Sequence, residues 1–76
     1  MRSSDVQIDS RYWVRYRRPR GGETAALGTV IHCYRYTHCA ACARWLTRFV
    51  IRLDDGQIKD RTARDILWAE GDNYEL

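Results

Sequence analysis

The run R-W-L-T-R-F-V-I-R-L at residues 44–53, followed at once by Asp54-Asp55-Gly56, constrains this chain more than any other feature. Trp45, Thr47, Phe49, Ile51 and Leu53 alternate with Leu46, Arg48, Val50 and Arg52. A two-residue period sends successive side chains to opposite faces of a strand. The first set is therefore expected to face a core, and the second, with Arg48 and Arg52, to face outward. Asp and Gly tolerate the positive φ of a tight primed turn, so the chain is expected to reverse there. Residues 57–61 then form the return strand, with Ile58 as its apolar anchor.

The same period runs through residues 11–17. Tyr12, Val14 and Tyr16 fall on one side, and Arg11, Trp13, Arg15 and Arg17 on the other. Pro19, Gly21 and Gly22 end that strand. Residues 27–36, L-G-T-V-I-H-C-Y-R-Y, are β-branched and aromatic and read as another strand. One of its faces would carry Val30, His32, Tyr34 and Tyr36, the other Thr29, Ile31, Cys33 and Arg35. Both faces contain apolar residues, so periodicity leaves the core face open. Residues 37–43 break the alternation and read as a loop or one helical turn. Residues 62–65 suit one 3₁₀ turn, and residues 66–68 a short last strand.

At 76 residues the chain is expected to be one domain, an arm at 1–10, a barrel at 11–68 and an acidic tail at 69–76. Phe49, Trp45 and either Tyr12 or Tyr16 are its expected aromatic core. No apolar run approaches the ~18 residues of a membrane span, and the first ten residues lack the apolar stretch of a secretory signal. A cytoplasmic protein is the expectation.

This layout of strands resembles the SH3-like small β-barrels, including the Tudor and KOW families. Ala26-Leu27-Gly28-Thr29-Val30-Ile31 is similar to their "G-T-V" second strand. Phe49-Val50-Ile51-Arg52-Leu53-Asp54-Asp55-Gly56 followed by Asp65-Ile66-Leu67 is similar to their hairpin and closing strand. The resemblance covers residues 11–68 and implies a mainly all-β, five-stranded SH3-like barrel with a short helical turn near 62–65. The cysteine- and histidine-bearing segment between the second and third strands departs from the pattern. An OB-like barrel is the runner-up, and a helix over residues 37–48 would give an α+β fold. A Tudor-like reading would make Trp13, Tyr34, Tyr36 or Trp68 a cage for a methylated cation. An SH3-like reading would make them a groove for a proline-rich peptide.

The net charge is +3, and twelve of the thirteen cationic residues are arginine. Ten arginines against three acids give residues 1–52 a charge of +7. Lys59, Arg61 and Arg64 against seven acids give residues 53–76 a charge of −4. If Tyr12, Val14 and Tyr16 are core, Arg11, Trp13, Arg15 and Arg17 form an outward stripe that Arg18 and Arg20 extend, with Arg48 and Arg52 as continuations. Guanidinium binds phosphate bidentately, and an aromatic between arginines offers a base a stacking surface. The leading expectation is therefore a non-enzymatic module that contacts nucleic acid through this face. The competing reading is a solvated strand paired with the chain's own acidic tail.

An alternative is a protein-interaction adaptor or inhibitor that docks an acidic partner surface, such as a phage- or plasmid-encoded factor acting on host transcription machinery. A second alternative is a zinc module. Cys39-Ala40-Ala41-Cys42 has the spacing at which two thiolates grip one ion, and Cys33 and His38 are the candidate further ligands, with His32 also nearby. Against this, Cys33 also reads as a small buried hydrophobe. Three cysteines do not make a disulfide framework. Resident cofactors other than zinc are not expected, and no nucleophile–base spacing or phosphate-cradling loop suggests an enzyme. A small barrel rich in aromatics is expected as a monomer or as a homodimer that completes its core.

Overall fold

The computed structural model describes residues 1–37, 41 and 44–71. Five antiparallel strands form one sheet: β1 (Arg11–Arg17), β2 (Glu23–Tyr36), β3 (Leu46–Leu53), β4 (Ile58–Thr62) and β5 (Ile66–Ala69). Their order is β4-β3-β2-β1-β5, and a 3₁₀ turn at Ala63–Asp65 joins the two edge strands. This is the expected all-β architecture, five strands with one short helical turn before the last. No α-helix occurs among the described residues, and β3 already begins at Leu46, which overturns a helix reaching residue 48.

The concave face holds the core. Tyr12 and Val14 of β1, Val30 of β2, and Phe49, Ile51 and Leu53 of β3 are buried, with Ala63 and Ile66 closing one end. Each large apolar side chain removed from water stabilises the fold by about 1.5–3 kcal/mol. Across the open seam, Tyr16 of β1 meets the β4 side: Lys59 Nζ lies 5.7 Å from its ring centroid, and Gln57 Nε2 donates to its hydroxyl at 3.4 Å. The first ten residues also lie on the barrel. Val6 packs against the core, Asp9 N donates to Val30 O at 2.7 Å, and Val30 N donates to Ser10 O at 3.1 Å. These bonds continue the β1–β2 pairing beyond Arg11.

Two expected core or anchor residues lie outside. Trp45 is 52% exposed, because β3 starts one residue later and the indole instead packs under Arg35, 5.8 Å from its guanidinium carbon. Ile58 is 55% exposed, because it pairs with Arg52 on the convex face. The second strand also starts earlier than expected, at Glu23, so its first half pairs with the whole of β1 and its second half with β3.

The bend between those halves is a bulge. The β2–β3 register runs Val30↔Ile51 and then His32↔Val50, leaving Ile31 without a partner position. One extra residue flips the parity of everything after it. Val30 and Cys33 therefore share the concave face, while Thr29, His32, Tyr34 and Tyr36 share the convex one.

Candidate nucleic-acid interface

The convex surface has two halves. On the β5–β1–β2 half, Trp13 stands opposite Leu27 of β2 and Trp68 of β5, and all three are half-buried. Same-face neighbours on adjacent strands touch, so these three cover one another. The arginines flanking Trp13 are ion-paired. Arg11 Nη2 donates to Asp54 Oδ2 at 2.6 Å, its Nε to Glu70 Oε1 at 2.9 Å and its Nη1 to Thr29 Oγ1 at 3.2 Å. Those two carboxylates hold the Arg11 guanidinium well above its ordinary range. Arg15 faces Asp65 and Arg17 faces Glu23, each at 3.6 Å. Three of the four stripe positions thus carry an internal carboxylate.

Arg18 and Arg20 lie in the turn that Gly21 and Gly22 close with positive φ, and both are exposed. They join no ion pair among the described residues. The part of the tail beyond Gly71 lies outside the described residues. Glu70, just ahead of it, does reach the stripe.

The β2–β3–β4 half carries a different arrangement. The registers set out rows across the three strands: Thr29, Arg52 and Ile58; His32, Val50 and Asp60; Tyr34, Arg48 and Thr62; then Tyr36 and Leu46. His32 and Tyr34 stack with centroids 6.1 Å apart and planes 18° from parallel. Tyr36 continues the column and is 40% exposed. A shallow cavity of about 390 Å³ lies among Tyr34, Tyr36, Arg48 and Asp60.

Asp60 anchors this surface. Its Oδ1 accepts from Arg48 Nε at 2.6 Å, and its Oδ2 accepts from the Tyr34 hydroxyl. Burial pushes the Asp60 carboxyl up, but donation from Tyr34 and Arg48 and the Arg48 charge together hold it below its ordinary value. The same bond to Asp60 raises the Tyr34 phenol and the Arg48 guanidinium. The effect is to fix one aromatic plane and one guanidinium in a common frame.

Sequence reasoning placed Arg48 and Arg52 on an outward face, and they are there. It did not single out Asp60, because a lone acid in a strand named I-K-D-R-T carries no periodic signal. It grouped His32 with the cysteines, whereas His32 is exposed on the convex face and Cys33 packs against the core from the concave one. His38, Cys39 and Cys42 lie outside the described residues. Among the described residues no group of three or more His, Cys, Asp or Glu is arranged to hold a metal ion. Nor is any helix among them long and apolar enough to cross a membrane.

Comparison with protein-family models, with curated proteins and with solved structures finds no match to this chain.

Proposed function

We propose that this domain is a non-enzymatic binding module for single-stranded nucleic acid, a small barrel of the Tudor/KOW kind, that works through the convex face of β2, β3 and β4. The observation that carries the reading is the column His32, Tyr34, Tyr36 beside Arg48 and Arg52. Unpaired bases stack on aromatic side chains whatever their identity, and arginines alongside take the phosphates. Arg35 at the end of β2 and Arg44 just ahead of β3 add positive charge near the same end, and Asp60 is the carboxylate on these rows. The β1 stripe contributes less than its sequence suggests, since Arg11 is fully engaged within the fold.

The test is anisotropy of a labelled mixed-sequence oligonucleotide across a salt series. Binding should weaken linearly in log–log terms, by about 0.7 per phosphate contacted. Arg52→Ala should lower that slope by close to one contact, and Tyr36→Ala should weaken binding at every salt concentration. No detectable binding at low salt would defeat the proposal.

Exposed Leu46, Trp45 and Ile58 around the arginines favour a second reading, an adaptor that docks an acidic protein surface. Apolar contacts ringed by cations suit such a partner. On that reading Leu46→Ala and Ile58→Ala abolish capture of one dominant protein, while the oligonucleotide does not compete.

A further inference from the structure

A second site lies at the seam, where the end of β1, the start of β2, the end of β4 and the last 3₁₀ turn converge. Arg15, Arg17, Glu23, Arg61 and Asp65 line a cavity of about 300 Å³ there. Three guanidiniums face two carboxylates, so the site carries net positive charge. The pairing inside it is loose. Arg15–Asp65 and Arg17–Glu23 stand at 3.6 Å, beyond hydrogen-bond reach, against 2.6 Å for Arg48–Asp60. Neither the Arg15 nor the Arg17 side chain donates a hydrogen bond among the described residues. Arg61 Nη1 is held at 2.8 Å by the Asp60 carbonyl, which orients its guanidinium without neutralising it.

We infer that this cavity binds a phosphate monoester dianion, presented by the terminus of a nucleic-acid strand or as free phosphate. A carboxylate offers one charge at 3.6 Å; a phosphate dianion offers two charges and three oxygens to fork-shaped donors within bonding distance. Asp65 and Glu23 keep the guanidiniums apart and in place until that ligand displaces them, and Glu23 is exposed enough to swing clear. The volume has room for a phosphate with the sugar behind it. The nucleic-acid source rests on the proposed function; the anion site itself does not.

The experiment compares one single-stranded oligonucleotide carrying a 5′-phosphate, a 3′-phosphate or hydroxyl ends, and adds inorganic phosphate followed by amide and guanidinium NMR shifts. A terminal phosphate should tighten binding about tenfold. Arg61→Gln should erase that gain, and Arg17→Ala, at an 80% exposed position that folding does not depend on, should reduce it. Asp65→Asn should tighten binding further by removing the competing carboxylate. Asp5→Asn removes the same charge at an exposed position that does not line the cavity and should change nothing. This contrast separates a built site from general attraction to a basic protein. Equal binding of all three oligonucleotides, with no phosphate-induced shift at Arg15, Arg17 or Arg61, overturns the inference and leaves the aromatic face standing. If no oligonucleotide binds while inorganic phosphate shifts those residues and the variants respond as stated, the anion site holds, its source is free phosphate, and the nucleic-acid reading falls. Equal effects of Asp65→Asn and Asp5→Asn overturn the inference.

Discussion

Arg11 Nη2 and Asp54 Oδ2 stand 2.6 Å apart, tying the first strand to the turn between β3 and β4. With Glu70 on its other side, Arg11 joins three separate parts of the chain. A guanidinium held by two carboxylates offers a phosphate little. Arg11→Ala should therefore lower the melting temperature modestly while leaving oligonucleotide affinity and its salt slope within error of wild type. Arg52→Ala should do the reverse. Calorimetry and salt-dependent anisotropy on both variants check this, and a loss of affinity in Arg11→Ala alone would return the interface to β1.

Gly28 is a matter of space. It is buried in β2, and a Cβ there would stand 2.8 Å from Ile51 Cγ2, 3.0 Å from the Arg52 carbonyl oxygen and 3.1 Å from Leu53 Cδ2. One of these contacts is backbone, so relief requires β2 and β3 to shift. Gly28→Ala is expected to cost about 1–3 kcal/mol by overpacking. That is a large share of the roughly 5–15 kcal/mol typical of a small domain. Urea denaturation gives the number, and an unchanged midpoint would mean the two strands yield freely.

Trp13 and Tyr36 should separate binding from folding. Trp13 is half-buried between Leu27 and Trp68, so Trp13→Ala should mainly destabilise. Tyr36 stands on the convex column at the far end of β2. Tyr36→Ala should lose the ~1–3 kcal/mol of one stacked base, and Tyr36→Phe should keep most of it because the π-face remains. Anisotropy paired with thermal melts on the three variants would decide. Equal binding by Tyr36→Ala and wild type would remove Tyr36 from the interface.

The strands were legible because alternation is local: residues 11–17 gave their bounds directly, and Asp54-Asp55-Gly56 gave the hairpin. The convex rows were not legible, because a single unpaired residue, Ile31, reverses the parity of His32, Tyr34 and Tyr36. Periodicity read straight through it put Val30 and His32 on one face. The state of the arginines was hidden for another reason. The partners of Arg11 lie 43 and 59 residues away, and only the closed sheet brings them to it. Among the described residues the acidic tail reaches the basic strand only through Glu70 on Arg11. Acids ahead of the tail serve the basic half too: Asp54 pairs with Arg11, Asp60 with Arg48 and Asp65 with Arg15, from a turn, a strand and a 3₁₀ turn. Trp45 misled because it sits one position outside its strand, where alternation no longer binds it to a face.

The Tyr34–Asp60–Arg48 frame should show its coupling in a titration. The Asp60 carboxyl lies below its ordinary value in the fold. A group whose folded pKa is depressed contributes stability above its unfolded pKa and loses it as pH falls through the folded one. Its contribution is therefore complete at neutral pH and fades only in acid. Tyr34 behaves in the opposite sense. Its phenol donates to Asp60, and ionisation would both remove that bond and place a second negative charge beside the carboxylate, so its pKa is raised. Its contribution is complete below the unfolded value and is lost as pH rises through the folded one. The frame is intact between these limits. Asp60→Asn removes the carboxylate charge at nearly constant shape. It should bring the late-titrating tyrosine back toward its ordinary range and flatten the acid side of the stability–pH curve. Ultraviolet tyrosinate titration and pH-dependent melts of wild type and variant measure both. Superimposable tyrosine curves would mean that Asp60 does not govern the Tyr34 ring.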